Sequence, residues 1–189
     1  MATTIAIPLA AFLSVFGLIG GIAQATPIPS AYLDAARLAE IPAAVLFGIA
    51  LQESGIPVHR HIVPWPWTLN IAGSAQRFTT RASACNALEQ ALVHLPATRI
   101  DVGLGQLNVG YQRRRVTEPC ALLDPHRNLA IAAAILSERH VAGEDWLITA
   151  GRYHRPAGGP AAEEYRHRVY VHLCRVFGSS HPPLTGSRQ

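Results

Sequence analysis

Proline placement constrains this chain more than any other feature. Fourteen prolines and fifteen glycines punctuate the 189 residues and mark where helices start and stop. Pro42 suits the first turn of a helix over roughly Ala43 to Glu53, with Val45, Leu46, Ile49 and Ala50 as its buried stripe. Gly55 and Pro57 end that helix, and Pro57, Pro64 and Pro66 predict a loop over 57–70. Residues 71–79 suit a short hairpin or extended pieces. Thr80 caps a helix reaching about Leu95, and Pro96 to Gln106 reads as irregular. Asp124-Pro125 is a cap followed by a first-turn proline. Leu129, Ala132, Ala133 and Leu136 follow it at helical spacing, so one face of that helix turns inward. A short helix over Ala31 to Ala39 capped by Ser30, another over Asp145 to Tyr153, a Gly/Pro linker over 156–160 and a last helix from Ala161 to about Val176 complete the pattern. The expectation is one mainly α domain, 26–177, with a small extended or hairpin region. A loose tail over 178–189 follows it.

Twelve acidic residues make the search for chemistry short. Most fall on polar helix faces or at caps; Glu53 and Asp101 do not. Glu53 ends the apolar run Val45 to Leu51, at the C-terminus of its helix. Apolar surroundings and the negative end of the helix dipole both oppose ionisation there. A carboxyl so placed is a candidate general acid near neutral pH. The competing reading is an exposed glutamate in a fraying last turn. Asp101 reads either as a turn residue or as a second carboxylate.

Two loop segments stand out. Pro64-Trp65-Pro66-Trp67 places Trp65 and Trp67 in a proline-stiffened loop. They read equally well as a core anchor and as a stacking platform for a sugar face. Gly103-Leu104-Gly105-Gln106-Leu107-Asn108 is a turn whose glycines let a backbone approach a ligand closely. His59 and His61 have no companion ligands at metal spacing, and no HExxH occurs, so no metal or other cofactor is expected. No GxSxG elbow supports a serine hydrolase.

The N-terminus bears on compartment. Residues 1–25 carry no charged side chain, and an apolar stretch from Ile5 to Ile22 ends at Ala23-Gln24-Ala25. This predicts a secretory signal cut after Ala25, with an uncleaved membrane anchor as the alternative. Either places residues 26–189 outside the cytoplasm, in the periplasm. Export permits a disulfide, and Cys85–Cys120 is the preferred pair because both lie in or beside loop segments, leaving Cys174 over. The net charge of +4 is carried entirely on arginine. It is scattered apart from Arg113, Arg114 and Arg115, so no basic stripe points to nucleic acid.

Several of these segments, in this order, resemble the family 1 (Slt-type) lytic transglycosylases of goose-lysozyme-like fold. Ala50-Leu51-Gln52-Glu53-Ser54-Gly55 is similar to the motif around the family's catalytic glutamate. The segment from Gly103 to Asn108 is similar to its Gly-Leu-Met-Gln-Ile-Asn motif, with Gly105 where Met is usual. Leu123-Asp124-Pro125 followed by Asn128 resembles the family's Asp-Pro…Asn stretch. Gly151-Arg152-Tyr153-His154 resembles the Ala-Tyr-Asn segment, with His154 where Asn is usual. Trp-Pro-Trp-Thr-Leu-Asn resembles a subgroup found with conjugative elements and with secretion or pilus machines. The similarity covers roughly residues 30–176.

The resemblance implies an α+β lysozyme-like fold and cleavage of MurNAc–GlcNAc β-1,4 bonds in peptidoglycan, giving 1,6-anhydroMurNAc ends. It implies Glu53 as the sole acid/base. Ser54 would hold the glycan or orient the acid. Gln106, Asn108 and Tyr153 would line the cleft, with Trp65 and Trp67 as an added wall. The implied partners are glycan strands and a conjugation, secretion or pilus complex. Two alternatives stay open: a hydrolytic muramidase using a second carboxylate such as Asp101, and a non-catalytic peptidoglycan-binding component of a translocation machine.

Overall fold

The computed structural model describes residues 27–59 and 61–178. The expected signal or anchor over 1–25 and the tail beyond Gly178 lie outside the described residues. Helix makes up 61% of the structure, which places it in the mainly α class with a small antiparallel sheet. Among the described residues, no helix is long and apolar enough to cross a membrane.

Helix α2 (Ala43–Ser54) is the axis of the fold. Its side chains from Ala44 to Leu51 are all buried. A helix apolar all round needs neighbours on every side, and α2 finds them in α1 (Ser30–Leu38), α5 (Pro125–Arg139), α6 (Trp146–His154) and α7 (Pro160–Phe177). Gly48 sets how closely α7 approaches. A Cβ there would stand 3.0 Å from Leu173 Cδ2 and 3.1 Å from Val169 Cγ1. Helix α5 turns Leu129, Ala132, Ala133 and Leu136 inward as their spacing predicts. Asp124 caps it, accepting from Arg127 N at 2.8 Å. Ser30 is not the cap of α1. It is the first helical residue after Pro29, and no side-chain cap bond forms there.

The segment expected to be a loop over 57–70 holds three strands. β1 (Gly55–Val58) pairs antiparallel with β2 (His61–Pro64). Prolines are tolerated because of the register. Gly55 faces Pro64 and Pro57 faces Ile62, while Trp65 N bonds to Ser54 O at 3.0 Å. Hydrogen-bonded pairs alternate along an antiparallel ladder, so both prolines occupy positions whose nitrogen faces away from the partner strand. Neither removes a ladder bond, and each blunts an outer edge.

A second sheet has the order β4-β3-β5-β6, built from β3 (Thr68–Ile71), β4 (Ser74–Arg77), β5 (Ile100–Val102) and β6 (Leu107–Asn108). The expected hairpin therefore begins at Thr68, three residues early, and turns at Ala72-Gly73. The stretch over 96–106 is not wholly irregular, since β5 lies within it. Ile100 and Val102 are fully buried, and alternation turns Asp101 to the opposite face.

Helix α3 (Arg81–His94) starts at Thr80, whose Oγ1 accepts from Ser83 N at 3.1 Å. Cys85 and Cys120 form a disulfide, and Cys174 is free. Cys85 sits within α3 rather than in or beside a loop. It is Cys120, in the 3-10 turn Pro119–Leu123, that comes from irregular chain.

Candidate active site

The C-terminus of α2 presents Glu53, and α7 supplies its partner. Tyr165 Oη donates to Glu53 Oε1 at 2.6 Å. Tyr165 is fully buried among the inward residues Ala162, Val169 and Leu173 of α7. Glu53 itself is half-buried. Withdrawal from water pushes its carboxyl up to about 7; the Tyr165 hydrogen bond and the Arg168 charge pull it down, and the Asp101 charge pushes it further up. Burial wins because a buried carboxylate loses more hydration than one hydroxyl restores.

Asp101 is the second carboxyl of the site. It is half-buried, and Asn108 Nδ2 donates to its Oδ1 at 2.9 Å. Burial raises its titration above the ordinary range, against the Asn108 hydrogen bond and the His154 charge. The His154 ring lies flat on Tyr165, with centroids 4.6 Å apart and planes 3° apart. Partial burial lowers its imidazole, with the charges of Arg168 and Arg155 adding to that effect. Glu53, Tyr165, His154, Asp101 and Arg168 thus share one electrostatic neighbourhood drawn from α2, α6, α7 and β5.

The glycine turn is locked beside this group. Ser54 Oγ lies 2.9 Å from Leu104 O and 3.0 Å from Ala50 O. Ser54 is completely buried, so it cannot hold a ligand; it fastens the end of α2 to the turn. Asn128, also buried, accepts from Gly105 N at 2.9 Å and donates to Val102 O at 2.9 Å and Leu122 O at 2.8 Å. Gly103 has φ +82, and a Cβ there would fall 2.1 Å from Asn128 Nδ2, so glycine is required twice over. Gly105 makes room for Tyr153: a Cβ would stand 2.8 Å from Tyr153 Oη and 2.9 Å from Ala132 Cβ. Tyr153 Oη donates to Gly105 O at 2.7 Å.

The other expected site residues are engaged internally. Gln106, at φ +45, donates from Nε2 to Gly103 O at 2.9 Å and Thr68 O at 3.2 Å. Asn108 caps the short helix α4 (Val109–Gln112), accepting from Tyr111 N, besides holding Asp101. Trp65 Nε1 donates to Phe78 O at 2.7 Å, and Trp67 packs on the core. Their rings meet edge to face, 5.9 Å apart at 87°, so they offer no common flat platform and instead anchor the loop between β2 and β3. His59 and His61 flank the tip of the β1–β2 hairpin. Among the described residues, one cluster has metal-ligating side chains within reach of one another. It is Cys85, Glu89 and Cys120, and its two sulfurs are joined in the disulfide.

Tyr165 was not anticipated. Its signal was present: a tyrosine on a buried stripe with Ala162, Val169 and Leu173 needs a hydrogen-bond partner inside the protein. What the sequence does not reveal is which acid lies across from it, 112 residues away.

Two surface pockets lie elsewhere, one between α1 and α5 and one beyond the C-terminus of α3. Neither is lined by Glu53. Comparison with known protein families, curated proteins and solved structures gives no match.

Proposed function

We propose that this chain is a peptidoglycan lytic transglycosylase with Glu53 as its single acid/base. The observation carrying this reading is the Glu53 carboxyl: half-buried, bonded to Tyr165 at 2.6 Å, and titrating at about 7. Such a group can give and take a proton at neutral pH. The motifs around Glu53, the glycine turn and Tyr153 supply the substrate class, and an acid at a helix end beside a small antiparallel sheet is consistent with a lysozyme-like fold. Protonated Glu53 gives its proton to the glycosidic oxygen, and the bond to the MurNAc anomeric carbon breaks. The Glu53 carboxylate then takes the proton of the MurNAc 6-hydroxyl, whose oxygen closes on that carbon. The product is a 1,6-anhydro end, the acid is restored and no water is consumed. In this reading the protein is exported, by signal or anchor, to the periplasm. There it opens the wall for a conjugation, secretion or pilus machine.

One observation favours a second reading. Asp101 carries a raised carboxyl within electrostatic reach of Glu53. A hydrolytic muramidase would use it to direct a water, as two-carboxylate glycosidases do. The test is a digest of purified sacculi by the protein and by Glu53→Gln, read by mass spectrometry. Anhydro-ended muropeptides that vanish in the variant support the transglycosylase. Reducing ends support the hydrolase. Glycan binding without products from either protein would overturn both in favour of a binding component.

A further inference from the structure

A cavity of about 540 Å³ opens beyond the C-terminus of α3, on a surface to which the Glu53 chemistry assigns no role. Leu92, Leu95, Val109 and Val116 form its apolar walls, with Arg113 and Glu118 at its lining. Val93 and Tyr111, each 76% exposed, belong to the same two segments. Arg114 and Arg115 follow the lining residue Arg113 in the chain. Arg115 is held by Glu138 at 2.7 Å, but Arg113 and Arg114 make no ion pair or hydrogen bond among the described residues. Exposed apolar surface beside two uncommitted arginines, set against the single acid Glu118, is the pattern of an interaction site with a net positive edge.

We propose that this cavity docks an apolar, acid-flanked peptide segment of a partner protein. The concavity favours a peptide over a bilayer, because separate side chains can enter a pocket whose walls a flat lipid surface cannot reach. Its volume lies in the range that takes a few large side chains. The uncommitted Arg113 and Arg114 favour acidic flanks, and Glu118 at the lining disfavours a densely anionic surface. In helix-in-groove recognition, apolar anchors give the affinity and rim charges select the partner.

The test uses the full ¹⁵N-labelled chain and two short synthetic peptides. One carries leucines at helical spacing with glutamates at both ends. The other has lysines in place of the glutamates. Saturable shifts of the Leu92, Leu95, Val109 and Val116 amides with the acidic peptide, and none with the basic one, support the proposal. The double variant Arg113→Glu/Arg114→Glu leaves thermal stability unchanged and weakens binding by about tenfold. Val116→Glu, placed in the wall, abolishes the shifts while the rest of the spectrum stays folded. Equal binding of both peptides, or no shifts at millimolar peptide, overturns the proposal. So do shifts at these residues produced by phosphatidylglycerol vesicles but not by the acidic peptide. None of these readouts depends on wall cleavage, so their failure leaves the enzymatic reading untouched.

Discussion

Tyr165 and Glu53 face each other across the α2–α7 contact, hydroxyl to carboxyl at 2.6 Å, and this bond is the largest influence opposing the burial that raises the acid. Tyr165→Phe keeps the ring and its stacking on His154 but removes the donor. A hydrogen bond to a charged acceptor contributes about 1.5–3 kcal/mol, less where water reaches the carboxylate. The variant should therefore move the alkaline limb of the pH profile up by about 1 unit. The measurement is release of muropeptides from sacculi as a function of pH. An unmoved limb would mean that the bond does not tune the acid.

Glu53→Gln separates chemistry from stability. Turnover should fall by at least about 10³, since the variant has no proton to give. The effect on folding has a definite sign. The carboxyl titrates at about 7 folded against 4.5 as its ordinary value, so the folded state holds the extra proton between those pH values. Its contribution is fully present below about pH 4.5 and is lost as pH rises through about 7. Glutamine does not titrate, and its Oε1 can still accept from Tyr165. Above neutral pH the variant should unfold at higher temperature than the wild type, by the equivalent of about 1–3 kcal/mol, with the difference closing toward low pH. Thermal unfolding across the pH range checks both size and direction.

Asp101→Asn decides between the two enzymatic readings. Removing the Asp101 charge withdraws one of the influences that raise Glu53, so the alkaline limb should move down. Anhydro-ended products should persist with activity reduced less than about tenfold, because the transglycosylase needs one carboxyl only. A loss of about 10³ or more would sink the single-acid mechanism and support hydrolysis.

Local rules reach the helices and the acid but stop at pairings made over distance. Thr80, Asp124 and the spacing Leu129/Ala132/Ala133/Leu136 act within a turn or two of themselves, and these helices form where the residues dictate. Glu53 was conspicuous because an acid closing an apolar run is locally odd. The β1–β2 hairpin was hidden, because whether Pro57 and Pro64 break a ladder depends on register, and register is set by the partner strand. Ser54, Gln106 and Asn108 lie in or beside the glycine turn and the end of α2. Their polar groups are committed to holding the glycine turn and Asp101, which depends on contacts such as Ser54 to Leu104, 50 residues apart. Tyr165 and the stacking of His154 on it belong to the same class.

Gly105 is fixed by Tyr153. Gly105→Met, which restores the residue usual in the motif this segment resembles, would drive its Cβ against Tyr153 Oη and Ala132 Cβ. Overpacking of this kind costs about 1–3 kcal/mol and should lower the unfolding temperature. Gly105→Ala sets its Cβ against the same two atoms; adding Tyr153→Phe removes the oxygen 2.8 Å away but leaves Ala132 at 2.9 Å, so the double variant should recover part of the alanine variant's loss and not all of it. No recovery would show that Tyr153 is not the constraint, and full recovery that Ala132 is not.

Asn128 joins α5 to the glycine turn by a three-bond pattern that no other side chain reproduces. It takes one donor, Gly105 N, and satisfies two acceptors, Val102 O and Leu122 O, while completely buried. Asn128→Ala removes all three bonds from a completely buried site and should destabilise the fold by about 3–5 kcal/mol. Asn128→Asp keeps the acceptor for Gly105 N but turns a carboxylate toward two carbonyl oxygens. Its folded titration must therefore lie above that of a free aspartate, so its stability should improve as pH falls and the carboxyl regains a proton to donate. Unfolding temperatures of both variants at about pH 5 and pH 8 distinguish the cases. The alanine variant should be equally weak at both, apart from the Glu53 contribution it shares with the wild type, while the aspartate variant should recover only at the lower pH. An aspartate variant as stable at pH 8 as at pH 5, once that shared contribution is subtracted, would mean that the two donor bonds do not hold the turn against α5.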